Sequence, residues 1–171
     1  RLGEKWYADV ISAVEEEKEN YGRDNWLDGK MYNVEFVSAN PTGPMHMGNA
    51  RGGALGDGLA ACLDWAGYDV TREFYINDAG NQIEKFGKSL AIRYLQLYKG
   101  EDACPLPEEC YQGADIIARA KEFAEVHGDA YVNKDFDELK KAIVADALPK
   151  NIAGLQRDLG KYRIKYDVWF H

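Results

Sequence analysis

The sequence has no apolar run long enough to cross a bilayer, and no apolar segment follows the charged residues at its start. It therefore predicts neither a membrane span nor a secretory signal peptide. The three cysteines, Cys62, Cys104 and Cys110, are odd in number and lack the spacing of a zinc finger. We interpret them as reduced thiols of a cytoplasmic protein, and we predict no metal-binding residues.

Positive charge is also scarce, since 21 Lys and Arg stand against 29 Asp and Glu, a formal net charge of −8. A protein that binds nucleic acid over its whole surface is normally basic, so RNA contact would be local or made elsewhere in a longer protein. The 171 residues, 46% of them hydrophobic, predict one domain with its own core. The sequence does not begin with Met, and we expect it to be a piece of a longer chain.

Strands alternate with helices along the chain. Strands rich in β-branched and aromatic residues are predicted at 31–37, 68–76 and 166–170. Apolar spacing predicts helices at 5–20, 48–66, 79–98, 111–127 and 136–159. Strand–helix–strand spacing of this kind indicates an α/β fold with a parallel sheet and right-handed crossovers. We interpret the mainly helical stretch at about 100–160 as an insertion between sheet strands, with Pro149 breaking or kinking its last helix.

Local signals add detail to several of these elements. The helix at 5–20 places Trp6, Val10, Ala13 and Val14 on one face, and Asp28–Gly29 is a turn signal. Asn77–Asp78 is the predicted N-cap of the helix at 79–98. The helix at 48–66 has an apolar stripe of Leu55, Leu59, Cys62, Leu63 and Ala66. It also contains Gly52, Gly53, Gly56 and Gly58, each costing about 0.8–1 kcal/mol relative to Ala, and we expect close packing against a strand to explain most of them.

The segment with most chemical information runs from residue 35 to 51 and reads EFVSANPTGPMHMGNAR. A loop leaves the carboxyl end of a predicted strand, where open α/β sheets bind ligands, and a helix begins at Gly48. Free N–H groups and partial positive charge at that helix start suit a phosphate. His46 can donate a hydrogen bond there, and Gly48 lets a flat group approach the backbone. The glycines do not match a dinucleotide fingerprint, and Gly87-Lys88-Ser89 lacks the rest of a P-loop.

His46-Met47-Gly48-Asn49 resembles the H-x-G-H motif of class I aminoacyl-tRNA synthetases and related nucleotidylyl transferases. The residues around it are more specific: SANPTGP at 38–44, ARG at 50–52, YINDAGNQ at 75–82, PEECYQG at 107–113 and YDVW at 166–169. Together they resemble the arginyl-tRNA synthetases over most of the chain. The resemblance implies a Rossmann-like catalytic domain, of which residues 1–171 would be the first half with its helical insertion.

The same resemblance implies an activity and a set of site residues. The reaction would use ATP, with Mg²⁺, to join L-arginine to its tRNA through an arginyl-adenylate. The positions similar to arginine-binding residues of the family are Glu35, Ser38, Asn40 and His46. The positions similar to ATP-binding residues are Pro41, Thr42, Gly43, His46, Gly48 and Asn49, of which His46 and Asn49 are the catalytic candidates. His127 and His171 have no predicted role.

The sequence departs from the family pattern at Asn49, which stands where the motif has its second histidine. Asn keeps a donor and an acceptor but cannot become positively charged. Two alternatives therefore stay open: a synthetase-like binding module without catalysis, and a different H-x-G-H nucleotidylyl transferase. The sequence contains no K-M-S-K-S-like loop, anticodon-binding domain or N-terminal tRNA-contacting domain. We expect the chain alone to be inactive and most tRNA contacts to lie in those missing parts.

Overall fold

A computed structural model describes residues 3–26 and 29–171. Its strands are β1 (Met31–Glu35), β2 (Asp69–Tyr75) and β3 (Val168–Phe170). Its helices are α1 (Glu4–Glu17, with a 3-10 turn at Lys18–Asn20), α2 (Met47–Trp65), α3 (Asn81–Lys99), α4 (Ala114–His127) and α5 (Phe136–Lys161). Every predicted strand and helix is present. Asp28, the first residue of the predicted turn, lies outside the described ranges, as do the first two residues of the chain. None of the helices within the described ranges combines the length and the apolar character needed to cross a membrane.

The three strands form a parallel sheet in the order β1-β2-β3, which confirms the predicted α/β class. Phe36, Phe74 and Ile76 are buried on one face of this sheet, together with residues of α5. The other face is uncovered within the described residues, with Met31, Tyr75 and Phe170 each at least 40% exposed. Side chains alternate between the faces of a strand, so Glu35, one residue before Phe36, lies on the uncovered face.

The buried side chains form two clusters. The sheet cluster comprises Phe36, Phe74, Ile76, Leu155, Leu159 and Ile164. The helical cluster comprises Phe86, Leu90, Ala91, Tyr94, Ile116, Ala120, Phe123, Leu139, Ile143 and Ala147. Helix α5 contributes to both clusters, and Pro149 lies between its two buried segments. Of the two outcomes expected at Pro149, the break is absent and the kink stays a prediction. Burying leucines on both sides, at about 1.5–3 kcal/mol each, outweighs the roughly 3 kcal/mol cost of an interior proline.

The predicted packing face of α2 is wrong. Leu55 and Leu59 are 64% and 55% exposed, and Cys62 is exposed as well. The helix turns its small residues to the sheet cluster instead: a Cβ at Gly56 would overlap the Phe36 ring, and one at Gly53 would lie 2.8 Å from Ile164. Gly52 and Gly58 face open space, so close packing explains two of the four glycines rather than most of them.

This difference predicts opposite effects for two neighbouring glycine substitutions. Gly58→Ala should stabilise the fold by about 0.5–1 kcal/mol, because the methyl group meets nothing and alanine is the better helix former. Gly56→Ala should destabilise it by about 1–3 kcal/mol, because Phe36 and the adjoining backbone must move. Urea unfolding of the two variants measures both effects, and shifts of the same sign would contradict the α2 packing described above.

Two helical details also differ from prediction. Helix α1 forms, but none of its residues is buried, and Trp6, Val10 and Val14 are exposed. Contacts with the rest of the described chain therefore do not account for this helix. Helix α3 begins after Gly80, whose φ of 82° only glycine adopts readily, so Asn77–Asp78 does not cap it.

Candidate functional site

The loop from Phe36 to His46 lies at the carboxyl end of the sheet and begins with a strained turn. Val37 and Ser38 have φ values of 67° and 40°, a left-handed conformation that costs a β-branched residue about 1–3 kcal/mol. The turn brings the Ser38 hydroxyl to the end of β2, where Oγ accepts a hydrogen bond from the Tyr75 N–H at 3.1 Å. The strain therefore attaches the start of the loop to the neighbouring strand. No glycine signals this turn in the sequence.

His46 is the N-cap of α2. Its Nδ1 accepts a hydrogen bond from the Gly48 N–H at 3.1 Å, and its own N–H donates to Asn49 Oδ1 at 3.1 Å. These reciprocal bonds form a capping box around the first turn. Because a backbone N–H can only donate, Nδ1 is the acceptor and the neutral ring carries its proton on Nε2. His46 therefore offers one N–H donor beyond the helix end.

The cap changes two expectations about this helix start. The Gly48 and Asn49 N–H groups already donate to His46, through Nδ1 and the carbonyl oxygen, so the expected free donors are not free at these positions. A Cβ at Gly48 would lie 2.9 Å from the His46 ring, so glycine is needed here to admit the imidazole. The partial positive charge of the helix end remains, and a negatively charged group bound there would interact with both this charge and the His46 ring N–H.

The loop and the first turn of α2 enclose a cavity of about 350 Å³. It is lined by Val37, Ser38, Ala39, Asn40, Thr42, Gly43, Pro44, His46 and Asn49. Six of the nine predicted site residues are among them. Of the other three, Pro41 is fully buried, Gly48 lies behind the His46 ring, and Glu35 lies on the uncovered face of β1. The chemical role of each residue stays a prediction.

Asn40 has a defined orientation in this cavity. Its Nδ2 donates a hydrogen bond to Gln82 Oε1 at 2.7 Å, near the start of α3. The Asn40 Oδ1 is left as the acceptor that the side chain can offer to a ligand. Gln82 lies in the YINDAGNQ segment, and sequence reasoning gave it no role because 42 residues separate it from Asn40.

A pair of acidic residues lies beside the loop on the uncovered face of the sheet. The strand register places Glu35 of β1 directly opposite Glu73 of β2. Neither carboxylate forms an ion pair or a side-chain hydrogen bond with any residue in the described ranges, and like charges placed opposite one another on a sheet are unfavourable. A cation on this face would remove that repulsion. Glu73 was missed from the sequence, since only strand pairing brings it to Glu35.

Two further contacts at this end of the sheet come from residues distant in sequence. His171 Nδ1 lies 3.0 Å from Asp78 Oδ2, a contact that the sequence does not predict. Tyr166 donates its hydroxyl to the Phe36 carbonyl at 3.1 Å, which holds the residue that begins the loop. Burial, with a smaller contribution from the Asp57 charge, raises the pKa of Tyr166 well above its usual value, so its hydroxyl stays a donor. Within the described ranges, no group of three His, Cys, Asp or Glu side chains could hold a metal ion.

Comparison with known proteins identifies a family that this chain matches. Residues 11–124 match the family model described as tRNA synthetases class I (R), catalytic domain. An arginine–tRNA ligase of Ruminiclostridium cellulolyticum is 59% identical over 99% of this chain, and one of Acetivibrio thermocellus is 57% identical over the same share. The chain spans about 30% of the length of each of these curated relatives.

Solved structures agree on the fold. A crystal structure assigned to an arginyl-tRNA synthetase of Campylobacter jejuni has a TM-score of 0.84 and 28% identity, covering 98% of this chain and 36% of its own. The Thermus thermophilus arginyl-tRNA synthetase has a TM-score of 0.54 and 19% identity, covering 94% of this chain and 26% of its own, and it supports the fold alone. Since the family model matches more than half of the chain, the chain belongs to the class I tRNA synthetase (R) catalytic-domain family.

Proposed function

We propose that this chain is part of an arginine–tRNA ligase. The arginine carboxylate attacks the α-phosphate of ATP and releases pyrophosphate. A hydroxyl at the tRNA 3′ end then attacks the arginyl carbonyl of the adenylate and releases AMP. Relatives of that name, up to 59% identical over 99% of the chain, support the proposal. The structural observation that carries it is the Glu35–Glu73 pair, two carboxylates without a cation partner in the described residues, beside a cavity at the carboxyl end of a parallel sheet.

The proposed roles follow the chemistry of each side chain. Glu35 pairs with the guanidinium, whose planar fork of donors matches a carboxylate. Asn40 offers its Oδ1 and Ser38 its hydroxyl to the rest of the arginine. The part of the loop assigned to ATP includes Thr42 and Gly43, which line the cavity, and Pro41 and Gly48, which lie behind it. The His46 Nε2–H and the α2 N-terminus face negative charge on the phosphates.

The remaining partners are proposed on family grounds. Mg²⁺ would accompany ATP on its phosphate oxygens, which it prefers as ligands. The tRNA would contact mainly segments beyond this chain, consistent with the net charge of −8. We place the protein in the cytoplasm and expect no membrane partner.

The test is arginine-dependent exchange of pyrophosphate into ATP by the full-length protein, with tRNA present. We expect exchange with arginine and none with lysine or citrulline, which lack the planar cation. Exchange that depends on another acid or nucleotide would favour a different nucleotidylyl transferase. ATP and arginine binding without any exchange would favour the non-catalytic binding module.

Asn49 is the one residue whose identity favours the non-catalytic binding module, and its substitution tests that alternative. Asn49→His should be tolerated and should raise the exchange rate or leave it unchanged, because histidine can accept the His46 N–H bond and can also become charged. Exchange kinetics measure the outcome, with Asn49→Ala as the control that removes the cap bond. A folded but inactive Asn49→His protein would mean that the cavity is built around asparagine for another use.

A further inference from the structure

The loop that lines the cavity is held by side chains from three different helices. Asn49 of α2 bonds the His46 backbone, and Gln82 of α3 bonds the Asn40 amide. The third bond comes from Asn151 of α5, 110 residues from its partner, whose Nδ2 donates to the Pro41 carbonyl at 2.9 Å. This contact meets the loop between Asn40 and Thr42, two residues that line the cavity.

The Asn151 amide is itself fixed in orientation. Arg119 of α4 donates its Nε–H to Asn151 Oδ1 at 2.9 Å and an Nη1–H to Glu122 at 2.6 Å. Because a guanidinium can only donate, Arg119 holds the amide oxygen and leaves the NH₂ group for the Pro41 carbonyl. Arg119, Asn151 and Pro41 thus form one chain of hydrogen bonds from the helices to the loop.

We propose that Asn151 is a positioning residue, which sets the place of the cavity loop through its bond to the Pro41 carbonyl, with Arg119 fixing its orientation. Asn151 touches no residue predicted to bind the guanidinium, and it lies behind the loop rather than in the cavity. Its effect on activity rests on the proposed function, whereas its effect on the loop does not. A cleft of about 200 Å³, which Asn151 and Arg119 help to line, lies between the loop and helices α4 and α5.

The experiment compares three variants of the full-length protein. Asn151→Asp keeps the side-chain size and the Arg119 partner but sets an oxygen against the Pro41 carbonyl, whereas Asn151→Ala removes both hydrogen bonds without repulsion. Arg157→Gln is the matched control, because Arg157 is exposed, lines the same cleft and its loss changes the charge by the same amount. Hydrogen exchange of peptides covering residues 39–50 and 82–98 reports loop and helix opening separately, and pyrophosphate exchange reports activity.

Asn151→Asp should speed hydrogen exchange in the loop peptide about tenfold, which is the effect of one lost hydrogen bond. It should lower kcat/KM for both arginine and ATP by about the same factor. The α3 peptide should be unchanged, Asn151→Ala should have a smaller effect, and Arg157→Gln should have none. A residue needed only to fill space would show the reverse order, with alanine worse than aspartate, and that result overturns the proposal. The proposal is also overturned if hydrogen exchange in the loop peptide is as slow in Asn151→Asp as in Arg157→Gln. If the unsubstituted protein shows no arginine-dependent exchange, the proposed function fails, and the loop peptide still decides the role of Asn151.

Discussion

Glu35→Gln should lower kcat/KM for arginine about 30-fold or more, which corresponds to about 2 kcal/mol, the lower end of the cost of truncating one partner of a charge pair. Glutamine keeps the size of the side chain and removes its charge, so the guanidinium loses a charge-assisted bidentate partner. The KM for ATP should stay within about twofold, because Glu35 does not line the loop cavity. Discrimination against citrulline, the neutral isostere of arginine, should weaken in the same variant.

Two matched substitutions make the Glu35 result specific. Asp69→Asn removes the same charge from the same face of the sheet at its opposite end, where Asp69 pairs with Met31, and it should leave arginine kinetics unchanged. Glu73→Gln tests the carboxylate opposite Glu35. If Glu35→Gln and Asp69→Asn behave alike, Glu35 is an ordinary strand residue, and the arginine assignment rests on family likeness alone.

The second large effect concerns His46. His46→Ala should lower the rate of adenylate formation by about 10²–10³, the usual loss when a donor to developing transition-state charge is removed. The KM for ATP should change much less. Single-turnover formation of the adenylate in the full-length protein separates the two. A change confined to the KM for ATP would contradict the donor role given to the Nε2–H.

The capping box complicates His46→Ala, since alanine also removes the N-cap of α2 at a cost of about 1 kcal/mol in stability. His46→Asn separates the two functions, because asparagine is a good N-cap but has no imidazole N–H. We expect His46→Asn to unfold at the same urea concentration as the unsubstituted protein while remaining as slow as His46→Ala. Recovery of the rate in His46→Asn would assign the His46→Ala defect to the lost cap.

The order of strands and helices was predictable because local signals agree along the chain: β-branched runs, turn residues and apolar spacing. The buried face of α2 was not predictable in the same way. Periodicity identified Leu55 and Leu59, yet the sheet offers the Phe36 ring at that place, and only a residue without a side chain fits against it. The partner surface decides which face of a helix is buried, and a single helix sequence does not contain it.

The candidate site also has a part that the sequence predicts and a part that it does not. Most of the cavity wall is one continuous segment, residues 37–49, so a local motif identifies it. The distant groups that hold this segment lie 37 to 130 residues away, as in the Ser38 bond to Tyr75 and the Tyr166 bond to Phe36. Such contacts exist only after folding. The strained turn at Val37 and Ser38 has no sequence signal either, since local preference opposes it.

Helix α5 sets a limit on how this protein can be cut and recombined. At 26 residues it is about 39 Å long, and its first half belongs to the helical cluster while Leu155 and Leu159 complete the sheet cluster. A chimera that exchanged residues 100–160 as a unit would remove that wall of the sheet and the Asn151 bond to the loop together. A transferable segment would have to end before Pro149, inside a continuous helix. The helical part and the sheet therefore share one continuous helix, and neither can be exchanged alone without losing buried side chains of the other.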